Sequence, residues 1–186
     1  KVKGLNQFVN NVLYNWGNGG AYIMGDTQQK SDADIRNNYF IVGTTDNYDG
    51  KKLGATAPFT RYNEHFSAYL SGNFCDDNKD GSLNGRELGR ADCMKKSVAA
   101  GEEIITSPTF LERPSDVHPE IKELMTAQEA YEWIVANGGS SLPVRDEVDA
   151  YLIDELTSLG KKGLIIHSEE DIPTKGPGNI KSAEAP

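Results

Sequence analysis

Asp76, Asn78, Asp80, Ser82, Asn84 and Glu87 hold the first, third, fifth, seventh, ninth and twelfth places of one stretch, residues 76–87. It reads Asp76-Asp77-Asn78-Lys79-Asp80-Gly81-Ser82-Leu83-Asn84-Gly85-Arg86-Glu87. Oxygen ligands at this spacing can wrap a hard cation. Ser82 would offer its backbone carbonyl, Asn84 would act through a water, and Glu87 would close the site with two oxygens. Gly81 sits where such a loop must turn sharply. Carboxylates and an amide suit calcium better than zinc or copper. The pattern is that of an EF-hand-type loop, so Ca2+ is the expected cofactor, with Asp76, Asn78, Asp80, Ser82 and Glu87 as ligands. Without a metal the same run would be a solvated acidic turn.

The elements around the loop must hold it. Cys75 and Cys93 bracket it and are the two cysteines of the chain, 18 positions apart (93 − 75). An even pair around a loop reads as a disulfide in an oxidising compartment, worth about 3 kcal/mol in the chain-entropy picture. Two unrelated buried thiols are the alternative. A stapled insertion, not a mobile switch, is expected at about residues 75–93.

Composition narrows the partners. The 186 residues suffice for one medium domain. A formal charge of −9 argues against a nucleic acid partner, and no run approaches the length of a membrane span. The chain opens at Lys1-Val2-Lys3-Gly4, without Met or a leader pattern. A mature piece or fragment of a longer, secreted, monomeric protein is expected.

The first part of the chain repeats itself. Phe8-Val9-Asn10-Asn11-Val12-Leu13-Tyr14-Asn15 is echoed by Ile35-Arg36-Asn37-Asn38-Tyr39-Phe40-Ile41-Val42, 27 residues on (37 − 10). A weaker echo, Ser67-Ala68-Tyr69-Leu70-Ser71-Gly72-Asn73-Phe74, has Gly-Asn in place of Asn-Asn. Short β-rich runs parted by Asn or Gly, with Ala21-Tyr22-Ile23-Met24 as a further strand, suggest a parallel β-helix of about three strands per coil. Asn tolerates the left-handed turn conformation, and stacked amides can hydrogen-bond along the solenoid. Asn10, Asn37 and Asn73 should therefore stand in one column. A sandwich of hairpins with Asn-rich turns is the alternative. The Gly-, Asp- and Thr-rich residues 44–62 read as a loop.

The second half changes character. Thr126-Ala127-Gln128-Glu129 is a capping box opening a helix that Asn137-Gly138-Gly139 stops. A second helix begins near Arg145, with Val148, Leu152, Leu156 and Leu159 on one apolar face, and Gly160 ends it. Leu164-Ile165-Ile166 reads as a last strand. Residues 1–125 are thus expected to form coils carrying the calcium-loop insertion. Residues 126–186 are expected to form an α-helical C-terminal extension that packs on the coils and shields open strand edges.

Gly4-Leu5-Asn6-Gln7-Phe8-Val9-Asn10-Asn11-Val12-Leu13-Tyr14-Asn15-Trp16 resembles the strand-Asn-Asn-strand segment of family 1 pectate lyases. The loop after Gly72-Asn73-Phe74 is similar to that of the fungal members often called pectate lyase C. Ala127-Gln128-Glu129-Ala130-Tyr131 and Ser141-Leu142-Pro143-Val144-Arg145-Asp146-Glu147-Val148-Asp149-Ala150 resemble their carboxyl-terminal region. The resemblance implies a mainly β, right-handed parallel β-helix and a secreted enzyme cleaving polygalacturonate by calcium-assisted β-elimination. It also implies an arginine base in an Arg-x-Pro motif just ahead of this segment, with the catalytic calcium ligands further upstream. No Arg-x-Pro lies near Lys1, so no catalytic residue is assigned within the chain. Lys3, where the family often has a second cationic residue, is a substrate-binding candidate with Lys1; both could equally be surface lysines.

Other candidates are weaker. His65, His118 and His167 lie far apart without a nucleophile context. Arg36 and Arg61 could face a groove. Trp16 and Tyr14 could stack on sugar rings, though packing suits them better. A non-catalytic calcium-binding, polysaccharide-binding β-helix is the second reading. A calcium-bound docking module is the third, and the single loop counts against it.

Overall fold

The computed structural model describes residues 4–17, 20–25, 28–44, 47–48, 51–52, 57–172 and 174–175. Lys1 and Lys3 lie outside the described residues, as does most of the Pro- and Gly-rich tail. The first turn of chain carries β1 (Gly4–Val9), β2 (Val12–Tyr14) and β3 (Gly20–Ile23). The next carries β4 (Ser31–Arg36), β5 (Tyr39–Ile41), a short antiparallel pair β6 (Asn47–Tyr48) and β7 (Lys51–Lys52), and β8 (Ala57–Thr60). Then come β9 (Phe66–Ser71), β10 (Phe74–Asp76) and β11 (Arg86–Glu87). An exposed hairpin of β12 (Lys95–Ala99) and β13 (Glu102–Thr106) precedes β14 (Thr109–Phe110). Helices α1 (Ala127–Asn137) and α2 (Glu147–Thr157) follow.

The strands stack in parallel. One sheet runs β1-β4-β9-β14, all parallel; a second runs β2-β5-β10 in parallel, with β11 antiparallel at its edge; β3 and β8 form a third parallel pair. Gly4 lies opposite Ser31, and Ser31 opposite Phe66. Along these parallel ladders each strand meets its counterpart one repeat later, not its sequence neighbour, which is the opposite of a hairpin sandwich. The fold is β-helix-like, mainly β with parallel sheets.

Several expectations need correction. Residues 44–62 are not a plain loop, because β8 lies there with Phe59 buried opposite Tyr22. The flanking Gly, Asp and Thr hide one inward aromatic. Leu164-Ile165-Ile166 forms no strand; Leu164 and Ile166 lie against Val12, Tyr14 and Leu152 with much of their surface exposed.

The asparagine column is shifted by one residue. Asn10 and Asn37 take the left-handed conformation at φ 55° and 53°, and Gly72 takes it at 63°. The stacked amides belong to the next residues, Asn11, Asn38 and Asn73. Asn38 Oδ1 accepts from the Asn11 backbone N–H at 2.9 Å and from its amide at 3.0 Å. Asn73 Oδ1 accepts likewise from Asn38, at 3.2 and 2.8 Å. The Asn38 and Asn73 amides also donate to the carbonyls of Phe8 and Ile35, at 2.7 and 2.8 Å. One residue of each pair makes the corner and its neighbour makes the ladder. An Oδ1 over Gly72 explains the third corner: a Cβ there would lie 2.1 Å from that atom of Asn37.

Two cores result. Between the sheets, Phe40, Phe59, Phe66, Met24 and Ile35 are fully buried, each worth about 2–3 kcal/mol of hydrophobic transfer. On the outer face of the second sheet, Tyr39 and Ile41 pack with Ala127, Tyr131, Leu156 and Leu159. Strand β5 is thus buried on both faces, alternating Phe40 inward with Tyr39 and Ile41 under the helices. In α2 the packed face uses Ile153 and Leu156, joined by Leu159 just past the helix end, while Leu152 is 46% exposed, which corrects the expected face.

Candidate functional site

The loop at 76–87 leaves the end of β10 and returns as β11. Its oxygens are knotted together. Asp80 N–H donates to Asn78 Oδ1 at 2.9 Å, and Ser82 N–H donates to Asp80 Oδ1 at 2.7 Å. The Asn84 amide donates to Asp80 Oδ2 at 3.0 Å, and Asn78 donates to Asn84 Oδ1 at 2.6 Å. Asn84 N–H points at Asp76 Oδ2, 3.3 Å away. Gly81 turns the chain at φ 83°, as the sixth place requires. Gly85 lets the returning strand close, since a Cβ there would lie 2.7 Å from the Cys75 carbonyl oxygen.

The loop's carboxylates sit in different surroundings. Asp76 is buried, and burial raises its carboxyl above the usual range; Asn84 and Asn78 backbone N–H groups oppose that, and the Asp80 and Asp77 charges add to it. Asp80 is held below the usual range, first by the Asn84 amide and then by the Ser82 N–H. The hard-oxygen donor set and the left-handed turn fit calcium. The closing residue does not gather with them. Glu87 is exposed on β11, lining a cleft with Ser71, Arg90, Phe110 and Glu112. Among the described residues, no three His, Cys, Asp or Glu side chains group as a metal site.

Cys75 and Cys93 are buried in the same core, but as free thiols, so the expected disulfide is not formed in this structure. Burial, with the Asp77 charge behind it, pushes the Cys75 thiol up to about 12, and burial likewise raises Cys93. Both are therefore protonated and poor nucleophiles.

Most of the weaker candidates serve the fold. Trp16 packs edge-on against Phe40, and Tyr14 donates to the Lys162 carbonyl beside Ser158, which places both in packing roles. Arg36 does not reach into a groove. It grips the fully buried Asp34 through Nε at 2.6 Å and a terminal nitrogen at 2.8 Å, on the outer face of β4. Gln7, opposite Asp34 on β1, donates to that carboxylate at 3.2 Å and to the Pro119 carbonyl at 2.8 Å. His118 Nε2 lies 3.3 Å from the Asp32 carbonyl. His65 sits 3.7 Å from Glu64 in the loop before β9. The Gln7-Asp34-Arg36 cluster escaped the sequence reading. Its one signal is the 27-residue offset that sets Gln7 beside Asp34 (34 − 7). Gln7 thus ties the segment at Pro119 to the sheet, beside the Asp34–Arg36 ion pair.

The fold and loop thus define a class, a parallel-stranded β-helix-like protein with an acidic loop between its last ladders. Comparison with known proteins narrows it. The chain is 40% identical over 186 residues to "Probable pectate lyase C" of Emericella nidulans. It is 39% identical to the protein of that name from Aspergillus terreus and 36% identical to that from Aspergillus flavus. Each match takes in 100% of this chain and 38–39% of the relative. No protein-family model and no solved structure matches. Over its whole length the chain is similar to these proteins, and it spans about two fifths of their own length.

Proposed function

We propose that the chain is the C-terminal part of a secreted, monomeric pectate lyase that cleaves polygalacturonate by β-elimination. The observation that carries this reading is the 36–40% identity running through the whole chain. Stacked parallel strands and an amide ladder support a right-handed parallel β-helix, with residues 1–125 as its coils and 126–186 as a helical extension. Among the described residues, no helix is long and apolar enough to cross a membrane.

The chemistry divides between this chain and the segment expected before it. β-Elimination removes the C5 proton of a uronate and expels the C4 oxygen. Calcium on the uronate carboxylate would supply the charge withdrawal that makes that proton removable. The family resemblance assigns the base to an arginine of an Arg-x-Pro motif ahead of Lys1. Lys1 and Lys3 would bind the polyanion, offsetting the repulsion of a chain whose formal charge is −9. At the loop, Asp76, Asn78, Asp80, the Ser82 carbonyl and Glu87 would hold a structural calcium. A Cys75–Cys93 disulfide would staple the loop's base in an oxidising compartment.

The test is ultraviolet absorbance of the unsaturated product when the protein, at its natural length, meets polygalacturonate with calcium. A rise abolished by chelation is expected. A folded protein that binds polygalacturonate without any rise would leave the polysaccharide-binding reading instead.

A further inference from the structure

The loop at 76–87 does not stand free; it is docked on the end of α2. Leu83 packs against the cluster of Tyr39, Ile41, Leu156 and Leu159. Tyr39 OH accepts the Gly85 N–H at 3.0 Å. Gly160, at φ 92°, lets the chain past the helix press on the loop. A Cβ there would lie 2.8 Å from the Lys79 Cα and 2.9 Å from the Val42 carbonyl oxygen.

The next residue faces the loop with a charge. The Lys161 side chain lies along Gly81: a Cβ on that glycine would stand 2.5 Å from Nζ, 2.7 Å from Cε and 3.2 Å from Cδ. Lys162 turns the other way and pairs with Asp154 at 2.6 Å. Two adjacent lysines thus do different work. One closes a surface pair behind the helix. The other brings an ammonium over the turn of a loop holding Asp76, Asp77 and Asp80.

We propose that Lys161 is the loop's tethered counter-cation, and that the end of α2 sets the loop's affinity for a divalent cation through it. This rests on the calcium-loop reading above. With no ion bound, the ammonium offsets the crowded carboxylates. When a hard dication enters, the same charge repels it and must swing away, so binding is weaker than the donor set alone would give. The effect is Coulombic and fades with salt, because Lys161 is exposed.

Calorimetric titration of Ca2+ into the natural-length protein tests this. Lys161→Met should tighten the Kd by about threefold to tenfold at low ionic strength, with the gain shrinking as salt rises. Lys161→Arg, which keeps the charge, should bind as the wild type does. A Lys161→Met variant with wild-type affinity overturns the proposal, as does a Lys161→Arg variant tightened equally, since packing would then be the cause. A wild type that takes up no calcium sinks the loop assignment along with it. Binding by the wild type that Lys161→Met leaves unchanged sinks the proposal alone.

Discussion

Asn38 carries more of the fold than its size suggests. It is fully buried and makes bonds in both directions, accepting from Asn11 and donating to Asn73 and the Phe8 carbonyl. Asn10 does a different job, holding a left-handed corner at φ 55° while reaching the Met125 carbonyl at 2.7 Å. A buried polar group stripped of its partner costs about 1–3 kcal/mol, and Asn38 has several partners to strip. Asn38→Ala should therefore lose about 3 kcal/mol or more in denaturant unfolding. Asn10→Gly, which keeps the corner, should lose less. Equal losses would mean that the ladder is not what holds the turns together. The Asn-Asn repeat itself was legible in the sequence because both jobs suit asparagine. Which of the pair does which was not, since that depends on the backbone angle at the corner.

Among the elements, the helix start was the easiest to read. Thr126 Oγ1 accepts from the Glu129 N–H at 3.1 Å, and Glu129 returns a bond to the Thr126 N–H at 2.8 Å. That backbone bond, and then the Thr126 hydroxyl, holds the Glu129 carboxyl below its ordinary 4.5. A lowered folded value means the contribution is complete above 4.5 and disappears as the pH falls through the lowered value. Glu129→Gln should thus melt below wild type at neutral pH, and the gap should close in acid. A gap of constant size across that range would remove the ionised cap from the account. Capping is local chemistry spaced by the helix, so it shows in the sequence. The β12–β13 hairpin, turning at Ala100 and Gly101 with positive φ, was missed because its residues, all but Thr106, are exposed and leave no apolar alternation to read.

At the scale of the whole molecule, the stack holds its register while the chain between rungs changes length. Counterparts lie 27, then 35, then 42 residues apart (Gly4 to Ser31, Ser31 to Phe66, Ser67 to Thr109). Closing a longer loop costs little extra entropy, so insertions such as residues 76–87 are tolerated where the strands are not. The helices bind this stack through one face. Leu156→Ala should cost about 2–5 kcal/mol, because it opens a cavity over Tyr39 and Ile41; Leu152→Ala, half exposed, should cost far less. Thermal melts showing equal losses would contradict the docking. By itself, the sequence determined the repeating strands, the acidic loop with its glycine turn and the two helices, the first with its capping box, because spacing and local conformational preference write those directly. Only the tertiary structure decided that Asn11, Asn38 and Asn73 form the ladder, that Arg36 is spent on Asp34, and that Lys161 lies over the loop. Those depend on which residues distant in the chain are brought together by the offset between rungs, and no local rule sets that offset.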